Sequence, residues 1–149
     1  MASAFELRSL PDERNNPRLF LIQLPLRTRH VSSVSVPQTI AFLDGTALDA
    51  ARPVLGNLLR GANVNEAQVM EALSRDYTIP VDEEIAMRLG LVFHAISSLR
   101  SPDRVRTAID RISRLDKDDL IFWINKLTTA DPEMAEKHRR ALLFVLTEA

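Results

Sequence analysis

The chain has no cysteine, only four glycines, one tryptophan and one tyrosine. The lack of cysteine excludes disulfides, zinc-thiolate sites and cysteine nucleophiles, so packing and hydrogen bonding must stabilise the fold. The glycines, at positions 45, 56, 61 and 90, form no phosphate-binding loop, and neither Gly-Lys-Ser nor Gly-x-Ser-x-Gly occurs. These absences disfavour nucleotide hydrolysis and α/β-hydrolase chemistry.

The sequence also lacks a long apolar run. No stretch approaches the roughly 18 to 20 apolar residues that cross a bilayer, and Glu6 interrupts the order typical of a signal peptide. We therefore expect a cytoplasmic protein with no membrane contact. Its 149 residues, of which 46% are apolar and 26% charged, predict one globular domain over residues 1–149.

Charges of the two signs are unevenly distributed, although the net charge is only −1. Residues 1–40 have five arginines against three acids, residues 41–87 three against eight, and residues 88–149 eleven basic residues against nine acids. A dedicated nucleic-acid-binding protein usually has a basic overall balance or a dense basic run, and neither is present. A nucleic-acid partner would have to be bound by a local stripe.

Catalytic and metal-binding patterns are missing as well. The histidines at 30, 94 and 138 have no metal-ligand spacing, and the lysines at 117, 126 and 137 do not follow an acid at the spacing of a common nuclease core. Asp116, Asp118 and Asp119 lack the glycine turn and downstream glutamate of a calcium loop. We predict no catalytic residue, no metal and no cofactor, and no small-molecule site is evident.

Arg88 and His94 have the Arg-x5-His spacing of the helical ribonucleases called HEPN, in which the two residue types converge on a phosphate in a dimer. Six helical residues turn by about 600°, so the two side chains point apart on one helix. Leu89 also replaces the polar residue usual after the arginine. A half-buried histidine and an ion-paired arginine are the simpler interpretation, and the ribonuclease is a remote alternative.

The first forty residues favour β structure. Phe5 to Leu10 alternates apolar and polar positions, and Leu19 to Leu26 is a denser apolar run between prolines. Val31 to Val36 is a candidate third strand. From Thr46, a candidate N-cap, the pattern turns helical, with a break at Pro53 and an end at Gly61. A short helix is then expected over residues 65–75.

Residues 81–149 predict longer helices with clear start signals. Apolar residues recur in alternating steps of four and three from Ile85 to Leu99, and small residues lie on a neighbouring line. Ser101 and Asp131 each precede a proline and an acid, which is typical of a helix N-terminus, and Asp116 with Asp119 resembles a capping box. The last helix, Pro132 to about Glu148, is apolar around most of its circumference near its end.

These patterns predict an α+β fold. A small N-terminal antiparallel sheet of two or three strands packs on a bundle of five to six helices. Residues 1–40 are mostly β and residues 46–149 helical.

Four segments follow one another over residues 80–146: DEEIAMRLGLVF, SSLRSPDRVRTAIDRI, LDKDDLIFWINK and RRALLFVL. Their succession resembles a family of small bacterial proteins of unknown function encoded in phage-defence gene clusters. The positions that match best are Glu84, Arg88, Leu89, Leu99, Arg100, Arg104, Trp123, Lys126, Arg140, Ala141 and Leu142. The resemblance implies a cellular setting and no activity, so these are candidate structural or contact positions.

Basic residues form a line along the predicted helix 102–115. Arg104, Arg111 and Arg114 fall within about 80° of one another on a helical wheel, and Arg100 continues the line ahead of the cap. The line is either a contact face for phosphates or an acidic partner, or a solvated face paired with neighbouring acids. Trp123 favours the core over an interface, and Lys126 and Arg140 are further candidate contacts.

We expect a non-catalytic accessory or adaptor subunit that binds a larger protein, in an antiviral defence complex if the resemblance holds. The apolar last helix and the basic line are its candidate contact surfaces. The alternative is a nucleic-acid-binding module that uses the same arginines for phosphate contacts.

Overall fold

The fold is an α+β arrangement of four strands and five α-helices, seen in a computed structural model that describes residues 4–25, 37–59, 67 and 77–148. In chain order the elements are β1 (Phe5–Ser9), β2 (Arg18–Gln23), β3 (Gln38–Asp44), α1 (Gly45–Ala51), a 3₁₀ helix (Arg52–Asn57), β4 (Tyr77–Val81), α2 (Glu83–Ile96), α3 (Pro102–Ser113), α4 (Lys117–Leu127) and α5 (Pro132–Glu148).

The four strands form one antiparallel sheet in the order β3-β2-β1-β4. Leu7 in the centre pairs with Leu21 on one side and Ile79 on the other, and all three are buried on the face that the helices cover. On the opposite face Phe20 and Phe42 stack across β2 and β3 with ring centroids 5.8 Å apart. The alternation of faces predicted for the first strand is confirmed.

The sheet has four strands rather than the two or three expected, because both edge strands were missed. β4 contains Pro80, which argues against a strand in the interior of a sheet and is tolerated at an edge. β3 begins after the segment 31–36 that we favoured, and that segment lies outside the described residues. β4 also lies within the range expected to be helical.

The first helix is shorter than its apolar pattern indicates. α1 ends at Ala51, and the chain continues as the 3₁₀ helix with Pro53 in its first turn, which confirms the break predicted there. Asp44, not Thr46, is the N-cap residue, and Gly45 follows it with a φ of +57° that favours glycine. The expected end at Gly61 and the helix over 65–75 lie outside the described residues.

Helices α3, α4 and α5 begin where the capping signals predict, and α2 begins after Asp82, a cap that was not predicted. The carboxylates of Asp82 and Asp116 each accept a hydrogen bond of 2.8 Å from the backbone N–H three residues on, and Ser101 accepts one of 3.4 Å. Asp131 caps the last helix by accepting from the N–H of Glu133 at 3.0 Å. These side chains satisfy N–H groups that have no partner within the helix.

The core lies between the sheet and the helices. α2 packs on the sheet with one face and on α3 and α4 with others, so Leu89, Val92 and Ile96 are fully buried. α5 contacts α3 and α4, and α1 contacts α3. That the helices form a regular bundle stays a prediction. Within the described residues, no helix combines the length and the apolar character needed to cross a membrane.

Candidate functional site

The predicted basic line lies on the exposed side of α3. Val105, Ala108, Ile109 and Ile112 on the other side are completely buried against α1, α2 and α5. Because the apolar stripe faces inward, the four arginines are left on the surface, and all four are exposed. We call Arg100, Arg104, Arg111 and Arg114 the arginine face.

Arginines outnumber acids in the sequence around the arginine face. Residues 100–114 contain five arginines and two aspartates. Arg114 pairs with Asp110 at 3.3 Å, and Arg106, which our prediction did not include, lies 3.9 Å from Asp103. Both pairs are solvent-exposed and contribute little stability. Guanidinium groups of this kind are suited to contacts with carboxylates or phosphates.

Arg88 has a structural role apart from the arginine face. One end nitrogen donates a 2.8 Å hydrogen bond to the carbonyl of Leu115, and the other lies 3.3 Å from the Glu84 carboxylate. Only 19% of its side chain is exposed. Arg88 therefore ties α2 to the turn between α3 and α4.

Arg88 and Arg114 line a shared cleft of about 360 Å³ at the end of α3. Three carboxylates, those of Asp82, Glu84 and Asp110, line the same cleft. Two guanidinium groups facing three carboxylates give no excess of positive charge. The cleft is therefore poorly suited to a phosphate, although it contains two of the predicted arginines.

α5 places its apolar residues on two faces. Leu142, Leu143 and Leu146 are buried in the core, whereas Phe144 is 65% exposed and Val145 47%. Met134 near the start of the helix is 41% exposed and lies on the same side as Val145. Part of the apolar chain end is therefore packed in the core, and part of it is exposed. We call Met134, Phe144 and Val145 the C-terminal apolar face.

Arg139 and Arg140 of α5 both pair with the carboxylate of Glu136. Arg140 lies 3.2 Å from the Glu136 carboxylate, and the half-buried Arg139 pairs with the same carboxylate and donates to Ser98. The hydrogen bond from Arg139 is the main reason why the pKa of Glu136 lies below its usual value. Arg140 is therefore a paired surface residue beside the C-terminal apolar face.

The arginine face and the C-terminal apolar face meet at one contact. A guanidinium nitrogen of Arg104 lies 3.4 Å from the hydroxyl oxygen of Thr147. Thr147 is three residues from Phe144 and therefore its neighbour on the helix surface. This contact places the basic residue Arg104 beside the apolar residues of α5, and we call the two faces together the composite surface, with the apolar residues as its centre and the arginines as its rim. Its composition is typical of a protein-protein interface, in which Arg and aromatic residues are enriched.

α4 contributes a second apolar area that the sequence analysis missed. Phe122 is 52% exposed and Ile121 40%, whereas Trp123 is half-buried and packs against the core, as predicted. The Phe122 and Trp123 rings meet edge to face at 5.2 Å, and the Lys126 ammonium lies 5.4 Å from the Phe122 ring centroid. The helical pattern around Trp123 places Phe122 on the side of α4 that points away from the core, so its exposure could have been predicted from the sequence.

Arg88 and His94 are not brought together within one chain. Arg88 lines the polar cleft, whereas His94 lines an apolar pocket beside the sheet. Burial lowers the pKa of His94 below its ordinary value of 6.5, so its imidazole is neutral at neutral pH. The two residues of the Arg-x5-His pattern therefore lie in separate structural environments.

Metal ligation has no site in the described part of the chain. There, no three His, Asp or Glu side chains are grouped so that they could hold a metal ion. Asp116 and Asp119, which stand close in sequence, are accounted for by the cap of α4.

Comparisons with known proteins give a family and no function. No curated protein and no solved structure matches the chain. One family model does match, over residues 5–148 and hence over nearly the whole sequence. The chain belongs to that family, which is described as a domain of unknown function, DUF7680.

Proposed function

We propose that the protein is a non-catalytic accessory subunit that binds a larger protein through the composite surface. The observation that carries the proposal is the junction of Arg104 with Thr147, which joins exposed arginines to exposed Phe144 and Val145. Large apolar side chains at the surface, rimmed by polar residues, are typical of interaction sites. The charge of the rim favours an acidic partner surface.

The setting of this complex is also part of the proposal. We place the protein in the bacterial cytoplasm, within an antiviral defence complex. The resemblance of residues 80–146 to proteins encoded in phage-defence gene clusters supports this setting.

Affinity purification of the tagged protein from its native host tests the proposal. We expect one stoichiometric large protein to co-purify with the wild type. Phe144→Glu places a charge in the apolar centre and Arg104→Glu reverses the charge of the rim, so both variants should lose that protein. Arg14→Glu is the matched control, because Arg14 is exposed in the loop between β1 and β2.

Two results would overturn the proposal. One is a wild-type preparation that contains no stoichiometric protein partner, and the other is a partner retained by both Phe144→Glu and Arg104→Glu. Circular dichroism of each variant verifies that the fold is intact. Enzymatic activity of the pure protein would contradict the proposal that the subunit is non-catalytic.

The five arginines of residues 100–114 and the exposure of the arginine face favour one second candidate, a nucleic-acid-binding module. Phosphate contacts release counterions, so the affinity for an oligonucleotide should fall steeply with added salt. Arg104→Ala should weaken binding of all sequences about equally. Fluorescence anisotropy with labelled RNA and DNA over a salt series measures both effects. An affinity independent of salt removes this candidate.

A further inference from the structure

A groove runs between α2 and β3, on the side of the molecule where the sheet ends. It consists of an open part of about 440 Å³, lined by Leu43, Asp44, Phe93 and Ser97 among others, and a smaller pocket of about 170 Å³, which Phe5 of β1 and Ile124 and Thr128 of α4 also line. Ile40 and His94 line both parts and so connect them. We call the whole the edge groove and its smaller part the anchor pocket.

One face of α2 lines the edge groove along its whole length. The lining residues are spaced by three and four positions, which is the period of a helix face, and they are Glu83, Ala86, Met87, Gly90, Phe93, His94 and Ser97. At 1.5 Å per residue this face is about 21 Å long. An extended peptide of about six residues has the same length. The small residues of α2 thus face this groove rather than another helix.

The other side of the edge groove is β3, an edge strand of the sheet. Within the described residues, no backbone hydrogen bond joins β3 to a segment other than β2 and the first turn of α1. Ile40 is 38% exposed and Phe42 52%, and the strand contains no lysine or proline. Proteins usually protect an edge strand with lysine or proline, because an unprotected apolar edge can pair with further strands.

A β-bulge next to the anchor pocket shapes the strand. Leu21 pairs with Ala41 and Ile22 with Thr39, so Ile40 is an extra residue in β3. Ile40 lines the anchor pocket with Leu21, Gly90 and Ile124. The pocket wall is almost wholly apolar. A dry cavity of about 150 Å³ holds a molecule the size of benzene, so the anchor pocket fits one apolar side chain.

The charges along the edge groove have one sign. Glu83 lines the anchor pocket, Asp44 lines the open part, and neither Lys nor Arg lines either. His94 adds no charge at neutral pH, because burial lowers its pKa. The groove therefore favours a segment with positive charges on both sides of an apolar side chain.

We propose that the edge groove binds an extended segment of a partner protein, which adds a strand to β3 and inserts an apolar side chain, flanked by basic residues, beside Gly90. Main-chain hydrogen bonds give affinity in this binding mode, and the pocket for a side chain gives specificity. The edge groove shares no residue with the composite surface. The two proposals therefore succeed or fail separately.

A peptide array with the purified full chain tests the proposal. The probes are synthetic nine-residue peptides in which the central residue is Ala, Val, Leu or Phe, the four nearest positions vary over β-forming residues, and both ends are lysine or glutamate. We expect binding only of lysine-flanked peptides with a central Leu or Phe, measured as Kd by fluorescence anisotropy. An array without any such binder overturns the proposal.

Gly90→Ala tests the anchor pocket in the same assay. A Cβ at Gly90 would lie 3.5 Å from Cδ2 of Leu21, an ordinary contact, so the fold tolerates the methyl group while the pocket narrows. We expect about tenfold weaker binding of the peptide with the largest central residue and a shift of preference towards Val. Gly56→Ala is the matched control, because a Cβ there has nothing within 4 Å.

Backbone methylation of the best peptide tests strand addition. Hydrogen bonds to an edge strand involve every second residue, so N-methyl groups on one alternate set of amides should abolish binding and those on the other set should not. A response without this alternation overturns strand addition, and a peptide affinity unchanged by Gly90→Ala overturns the anchor pocket. Loss of binding in both glycine variants would also contradict the anchor pocket as the site.

Discussion

Helices α2 and α5 both have apolar residues on more than one face, but their neighbours differ. α2 lies between the sheet and two helices, and nine of its residues are buried. α5 is contacted mainly by α3 and α4, so Leu142 and Leu146 are buried whereas Phe144 and Val145 remain exposed. An apolar pattern therefore shows which faces of a helix are hydrophobic. The position of the helix in the fold decides whether other elements of the chain bury those faces.

The largest effect is expected in the covered helix. Leu89→Ala removes a fully buried side chain of α2. The lost burial and the cavity should lower the free energy of unfolding by about 2–5 kcal/mol. Urea denaturation followed by circular dichroism measures it. A loss similar to that of an exposed position would show that α2 is not covered as described.

A smaller effect is expected from the contact that holds α2 to the end of α3. Arg88→Met keeps the stem but removes the 2.8 Å hydrogen bond to the Leu115 carbonyl, and the free energy of unfolding should fall by about 1–3 kcal/mol. Arg114→Met is the matched control, because the Arg114 side chain is 76% exposed and its ion pair should contribute less than about 1 kcal/mol. Equal losses would contradict a structural role specific to Arg88.

The third effect depends on pH and concerns His94 on the groove side of α2. Its folded-state pKa is lowered by burial, so the unfolded chain binds the proton more readily than the folded one. This part of the stability is complete above the ordinary value of 6.5 and is lost progressively as the pH falls below it. The carboxylates of Glu83 and Asp44 line the same groove as His94.

His94→Gln should therefore lose less stability than the wild type between about pH 7.5 and about pH 5.5. Urea denaturation at both pH values measures the difference. Because Glu83 and Asp44 are present in both proteins, their contributions cancel. An identical pH dependence in the two proteins would show that His94 is not desolvated in the fold.

The smallest effect is expected on the uncovered side of α5. Phe144→Ser changes a side chain that is 65% exposed, so the free energy of unfolding should change by less than about 0.5 kcal/mol. Leu142→Ser, two residues earlier and fully buried, is the contrasting variant and should be strongly destabilising. A large loss in Phe144→Ser would mean that the exposed face of α5 is covered within the same chain.

The later helices could be predicted because their signals are local. Asp82, Ser101 and Asp116 each satisfy an N–H group within their own first turn, and that contact depends only on neighbours in the sequence. Of the two edge strands that were missed, β4 has a distant partner. β4 pairs with β1 across some seventy residues, and Pro80 is acceptable only because no strand lies beyond it among the described residues.

The candidate site also has features that local sequence signals predicted and features that they did not. The wheel of residues 102–115 predicted that Arg104, Arg111 and Arg114 share a face, and they are exposed on α3. The pattern could not show that Arg88 is held by the Leu115 carbonyl, or that Phe144 points outward. Burial of a given side chain depends on which element packs over it, and that is a long-range property.

The sequence by itself determined where α2 to α5 begin, which side of α3 is basic, and that cysteine chemistry is excluded, because each follows from residue identity and short-range spacing. Only the tertiary structure decided that β3 and β4 are the sheet edges, that the arginine face adjoins the C-terminal apolar face, and that α2 and β3 leave a groove. These features depend on contacts between elements that are far apart in the chain, and the packing of the whole core determines which elements are in contact.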